Sequence, residues 1–215
     1  MKMRRGNSEK GLQIGFTLLL LTTALSAQYN SGKTTTHTGF KWPNGKKAAI
    51  SLTFDDARHS QADIGIPLFD EYGVKATFYV TPHQMKDRLN AWKKAVKNGH
   101  EIANHTLSHP CSGNFSWSRE KALENKTLGT MAKDIDAASD SIEQMVGMRP
   151  KTFAYPCGQT YVGRNGRVQS YIPLVDDRFI AGRTWMDEAH NDPTFCDLAH
   201  VYGVKSDDHD FEEIK

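Results

Sequence analysis

Residues 51–60, "SLTFDDARHS", set an alternating apolar run, Ile50, Leu52 and Phe54, directly against two adjacent carboxylates, Asp55 and Asp56. Alternation with a period of two reads as a β-strand, so the strand delivers the pair to one end of a sheet. Carboxylates that close repel each other. Either one of them keeps a proton or a cation offsets both.

The surrounding sequence says what kind of sheet this is. The strand is read over residues 46–56, "KKAAISLTFDD". A helix follows over residues 60–73, with Ile64, Pro67, Leu68 and Tyr72 at roughly helical spacing and Gly73 at its end. "VKATFYVTP" (74–82) reads as the second strand, "NAWKKAVKNG" (90–99) as a short helix ending on Gly99, and "HEIANHT" (100–106) as the third strand. Residues 118–147 form a long helical stretch expected to break near Gly129, and "KTFAYPCG" (151–158) and "RFIAGRTW" (178–185) add two strands. Strand alternating with helix implies an α/β fold, either a parallel sheet or an α/β barrel.

In such folds the loops after the strands' C-terminal ends open on one face. Asp55 and Asp56 end the first strand, and "NHTLSHP" ends the third, so His105 and His109 reach the same rim. Taken singly, an Asp-Asp pair after a strand is more often a turn or a helix N-cap, and two histidines four apart are more often surface or hydrogen-bonded residues. Their joint occurrence at neighbouring strand ends points instead to a divalent metal. Two histidines and one carboxylate are ligands of the types zinc takes, and three protein ligands leave a position open for water. One of the two aspartates can then ligate the ion while the other stays ionised beside it and serves as base.

Bulk properties bound the rest. A chain of 215 residues with 38% hydrophobic and 24% charged residues suits one globular domain. Residues 1–27 read as a secretory signal peptide: a basic start, the apolar "IGFTLLLLTTAL", and small residues in "ALSAQ". Residues 28–45 read as a polar linker, and 46–215 as the domain. Removing residues 1–27 takes away four basic residues and one acidic residue, so a formal net charge of +2 becomes −1. No nucleic-acid partner is expected from that balance, and no membrane partner after signal cleavage. A secreted or periplasmic location follows. Cys111, Cys157 and Cys196 are too few for a disulfide framework, although export allows one bridge with one thiol left over.

"LTFDD", "GHEIANHTLSH" and "FAYPCG" occur in the order and approximate spacing of the first three motifs of the NodB-type polysaccharide deacetylases, carbohydrate esterase family four. The chain resembles that family from about residue 46 onward. The resemblance implies a distorted (β/α)7 barrel, with Asp55 as general base and Asp56, His105 and His109 as ligands to a divalent metal. Zinc is expected first, with cobalt, nickel or manganese as alternatives. It further implies hydrolysis of N-acetyl or O-acetyl groups on a cell-wall or extracellular glycan by metal-activated water. An acetylated polysaccharide is the expected partner, and Tyr155, Pro156, Cys157 and Trp185 are the expected substrate contacts. The backbone N–H of Cys157 is expected to share the developing oxyanion. Two other readings are a carbohydrate-binding pseudo-enzyme and an acetyl ester hydrolase.

The chain departs from the family in two places. Where many members carry Arg and Tyr in the third motif, this chain has Ala154 and Cys157, so another cation must steady Asp55; Arg58, Arg183 and Lys75 are the candidates. Cys157 reads first as a small buried side chain, next as a bridge to Cys111, and last as a thiolate ligand. The fourth motif is only loosely echoed by "AGRTWMDE", with Trp185 and Asp187, and the fifth, with its general-acid histidine, is absent. His190, His200 and His209 are the internal substitutes. "SDDHDFEEIK" reads as the start of a further helix, so the barrel is expected to be incomplete at the C-terminus.

Overall fold

The computed structural model describes residues 39–207 and 209, so the expected signal peptide, most of the expected linker and the expected C-terminal helix start lie outside the described residues. Five strands form a parallel sheet: β1 (Thr53–Asp55), β2 (Thr77–Val80), β3 (Glu101–Asn104), β4 (Thr152–Ala154) and β7 (Ala181–Arg183), in the order β1-β2-β3-β4-β7. Each pairs in parallel with its neighbour, which puts all their C-terminal ends on one rim. A parallel bridge between Arg183 and Val201 extends the sheet past β7. Between β4 and β7 the chain makes a small antiparallel hairpin, β5 (Tyr161–Val162) and β6 (Gln169–Ser170), and the short helix α5 (Ile172–Asp176). The architecture is α/β, an incomplete barrel of the expected type.

Apolar side chains on both faces of the central strands explain their near-continuous hydrophobic runs. Phe78, Val80 and Ile102 pack with Ile66 and Phe69 from α1 (Ile66–Glu71), Met85 from α2 (Pro82–Met85) and Trp92 from α3 (Leu89–Lys97). Phe153 and Tyr155 pack with Met131 and Ile135 of α4 (Leu128–Val146) and Val175 of α5.

Several element boundaries differ from the sequence reading. The first strand is confined to Thr53–Asp55: β1 pairs on one side only, and Ile50, expected inside the strand, is 87% exposed. The long helix starts at Leu128, after Thr127 caps it in a reciprocal capping box with Thr130, so Gly129 lies in its first turn instead of at a break. Residues 116–125 are short 3-10 turns. The hairpin and α5 were not expected; two-residue strands are too short to show a period.

Candidate metal centre and active-site cleft

Asp55 is the last residue of β1, and Asp56 is held by its backbone N–H, which donates to Tyr79 O at 3.0 Å. His105 follows β3 directly, and its N–H donates to Val80 O at 3.2 Å. His109 closes a tight loop in which its N–H donates to the Thr106 hydroxyl at 3.0 Å. Among the described residues, eight non-glycine positions have positive φ, and five of them, Asp56, Ala57, Thr106, His109 and Cys157, belong to this rim. That concentration of sparsely populated backbone conformations marks where the fold is held off its local preference.

The ligand atoms of Asp56, His105 and His109 lie within 4.8 Å of one another. His109 Nε2 is 3.4 Å and His105 Nε2 is 3.7 Å from Asp56 Oδ1. His105 is buried, and its Nδ1–H donates to Ala154 O at 2.8 Å, which fixes the tautomer and leaves the Nε2 lone pair facing the carboxylate. Burial, aided by the neighbouring His105 ring and opposed by Asp56, lowers the His109 pKa to about 4, so this ring is neutral at pH 7. Two imidazoles and one carboxylate make a donor set that fits a divalent ion.

A buried carboxylate braces the loop from beneath. Asp134 of α4 accepts the backbone N–H of Leu107 at 2.9 Å and of Ser108 at 3.0 Å, and it also takes the Ser108 hydroxyl and the Lys126 ammonium. Burial pushes its pKa up, but Lys126 and Ser108 outweigh burial and hold it below the usual carboxylate range. Asn104 completes the support, donating to Ile135 O and Ser139 Oγ while accepting the Thr106 N–H.

Asp55 has a different partner. Its Oδ1 accepts from the Arg183 guanidinium, and its Oδ2 lies 4.0 Å from His105 Nε2. Burial raises its pKa, yet His105 and Arg183 together bring it below the ordinary value, so Asp55 is ionised at neutral pH. Of the three candidate cations, Arg183 alone reaches Asp55. Arg58 sits 3.4 Å from Asp56, and Lys75 lies 3.9 Å from Asp70. The β4–β7 register explains why Arg183 fits: it is the direct cross-strand partner of Ala154, the position where the third motif of many relatives carries arginine. The guanidinium also lies 4.9 Å over the Tyr79 ring. A Cβ on Gly203 would come within 3.0 Å of the Arg183 side chain and 2.7 Å of Thr184 O, so glycine is needed there for the close approach.

The four residues open into a cleft of about 670 Å³, lined also by Trp185, Phe115, Trp117, Cys157 and Arg183. Cys157 is bonded to Cys111 with Cα atoms 5.9 Å apart, so its first reading, a free buried side chain, gives way to a bridge between the β3 and β4 loops. Tyr155 and Pro156, expected at the substrate, are buried outside the cleft lining, and the Tyr155 hydroxyl donates to Ala199 O at 2.6 Å. Asp187 accepts from the Thr184 hydroxyl and the Gly203 N–H, bracing the strap beside β7. His190, His200 and His209 are not among the cleft residues. The sequence reading missed Trp117, Phe115 and Asp134; "NFSW" just after the second histidine was the available signal for the first two.

Residues 42–170 match the family described as polysaccharide deacetylase. The chain belongs to the polysaccharide deacetylase family. A peptidoglycan-N-acetylmuramic acid deacetylase of Bacillus subtilis (strain 168) is 25% identical over 114 residues, covering 53% of this chain and 39% of that protein. A chitooligosaccharide deacetylase of Sinorhizobium fredii is 38% identical over 63 residues, or 29% of each chain. The solved de-N-acetylase of Aggregatibacter actinomycetemcomitans superposes with a TM-score of 0.60 over 79% of this chain and 74% of its own; at 16% identity that likeness concerns the fold alone. This polysaccharide deacetylase family member spans between 4% and 39% of the curated relatives it matches.

Proposed function

We propose that this cleft hydrolyses acetyl groups, N-acetyl first and O-acetyl second, from a cell-wall or extracellular glycan. The observation that supports this reading is the division between two adjacent aspartates: Asp56 lies 3.4 and 3.7 Å from the two histidines, whereas Asp55 is held by Arg183 and stands farther, 4.0 Å, from His105 alone. One carboxylate is built as a ligand and the other as a base. A divalent ion held by Asp56, His105 and His109, zinc first and cobalt, nickel or manganese as alternatives, would supply Lewis acidity toward the acetyl carbonyl and acidify water.

Asp55 takes a proton from the attacking water through Oδ2, because Oδ1 is committed to Arg183. Arg183 keeps that carboxylate ionised and oriented. The Cys157 N–H donates to the oxygen that gains charge on the acetyl carbon. As the C–N bond breaks, the departing nitrogen takes up the proton that Asp55 removed from the water, leaving acetate and an amine on the sugar. The polysaccharide named in the family and the peptidoglycan and chitooligosaccharide deacetylases among the relatives support a glucosamine-containing substrate and an extracellular location.

Asp55→Asn separates the two roles. The variant is expected to bind metal as the parent does while turnover on acetylated glucosamine oligomers falls by roughly 10²–10⁴-fold. Loss of metal together with turnover would show that the two aspartates are assigned the wrong way round.

A further inference from the structure

We propose that the Cys111–Cys157 bridge is a positioning device that couples the two halves of the cleft's chemistry: one sulfur orients the His109 ring, and the bond through the other holds the Cys157 N–H in place. The proposal rests on the reading of the cleft as a deacetylase and adds the two sulfurs to its machinery.

The two histidines are oriented differently. His105 has its Nδ1–H fixed by Ala154 O at 2.8 Å. The His109 ring meets sulfur instead: its Nδ1 faces Cys111 Sγ at 3.8 Å. In a metal-ligating histidine the other ring N–H ordinarily fixes the imidazole through a carboxylate, a carbonyl or water. With Nδ1–H directed at the sulfur, Nε2 is left facing Asp56 Oδ1 at 3.4 Å. Cys111 therefore occupies the orienting position for this ring.

The other sulfur belongs to a turn that its own residue does not favour. Cys157 has φ 55° and ψ 20°, in the left-handed region, and Gly158 follows at φ 66°. A non-glycine side chain stays in that region because its surroundings hold it there. The N–H groups of Gly158 and Gln159 close the turn onto Tyr155 O at 2.9 Å and Pro156 O at 3.1 Å. That leaves the Cys157 N–H outside the turn's own closure, on a residue that lines the cleft.

Cys111 can hold both groups because it is itself held. It is fully buried, its N–H donates to Ser118 Oγ at 3.0 Å, and its carbonyl accepts the Ser118 hydroxyl at 2.8 Å and the Leu123 N–H at 3.1 Å. A second tie runs beside the bridge, where Gln159 Oε1 accepts the Ser112 N–H at 2.7 Å. This hydrogen bond already joins the same two loops. What the bridge adds is a sulfur against His109 Nδ1 and a covalent tether on the left-handed Cys157.

The test replaces both sulfurs in the full chain, Cys111→Ser together with Cys157→Ser, so that no thiol from the bridge is left to capture zinc. Zinc Kd is measured by competition with a chelator, and kcat and KM are measured on an N-acetylglucosamine tetramer at saturating zinc, well below each protein's melting temperature. Kd is expected to rise about tenfold, as for other groups that orient a ligand. At saturating zinc kcat is expected to fall about tenfold with KM within twofold, a smaller loss than the roughly 10²–10³-fold that follows outright removal of an oxyanion donor. A bridge that only staples the fold would lower the melting temperature and leave both constants alone. If either Kd or kcat matches the parent's, the bridge does not couple the two halves and the proposal falls. The alanine pair, Cys111→Ala with Cys157→Ala, is measured alongside and is expected to show the same two shifts. Failure of both pairs to fold would make the bridge a requirement of the fold and overturn its positioning role. A parent that binds no zinc overturns the proposal as well. If the parent binds zinc but does not hydrolyse the tetramer, the deacetylase reading fails by itself, and the bridge is judged on Kd alone.

Discussion

His100 stands immediately before β3 and His105 immediately after it, so one strand carries a histidine facing a carboxylate at each of its ends. At the lower end, Nδ1 of His100 accepts the Ala76 N–H at 3.2 Å, and its Nε2–H donates to Asp70 Oδ1 at 3.2 Å. Asn98 donates to the other Asp70 oxygen at 2.6 Å. At the upper end only Nδ1 of His105 is committed, to Ala154 O, and Nε2 faces Asp56 at 3.7 Å, too far for a hydrogen bond. The lower cluster spends its polar atoms on one another and holds β2, β3 and α1 together. The upper one holds lone pairs toward a common point without using them. Residue types alone do not distinguish the two; the number of satisfied ring nitrogens does.

Variants at each end sharpen this contrast. The largest effect is expected from Arg183→Ala, which removes the cation holding Asp55: turnover should drop about 10²-fold with metal stoichiometry unchanged. Because Ala154 and Arg183 are register partners, adding Ala154→Arg to that variant should recover part of the loss. No recovery in the steady-state kcat of the double variant would mean that the guanidinium's origin, and not only its position, matters.

A smaller effect is expected from Asp134→Asn, which weakens the brace under the His105–His109 loop. Metal affinity measured by competition with a chelator should fall about tenfold, as for other groups that orient ligands. An unchanged affinity would remove Asp134 from the site's support.

The smallest effect belongs to the lower cluster. Burial raises the Asp70 pKa, but hydrogen bonds from Asn98 and His100 and the charge of Lys75 lower it further, leaving it below the ordinary carboxylate value. A depressed carboxylate stabilises the fold above its unfolded pKa of about 3.9, and that contribution disappears as pH falls through the lower folded value. Asp70→Asn should therefore melt lower than the parent at pH 6, with the gap closing below about pH 4 and metal binding untouched. A pH-independent gap would place the effect in packing and not in charge.

The β1–β3 half of the sheet was legible because its strands are apolar runs ending in chemically conspicuous residues: "TFDD" and "NHTLSH" announce both the strand ends and the donor types. The support around them was not. Arg183 reaches Asp55 through the pairing of β4 with β7, and the intervening hairpin and α5 leave no local periodicity that would reveal that pairing. The short β1 was misjudged because alternation continues through Ile50 and Leu52, although an edge strand has a partner on one side only. Asp134 looked like one more polar residue on a helix; its burial depends on a loop 26 residues away in sequence.

The central claim is that the upper end of β3 holds a metal and the lower end does not. Titrating zinc into the parent, His105→Ala and His100→Ala by calorimetry, with melting curves alongside, tests it directly. His105→Ala is expected to lose stoichiometric binding. His100→Ala should keep it while losing stability by about 1–3 kcal/mol, since the buried Ala76 N–H is left without its acceptor. Stoichiometric zinc in His105→Ala, or its loss in a folded His100→Ala, would contradict the account.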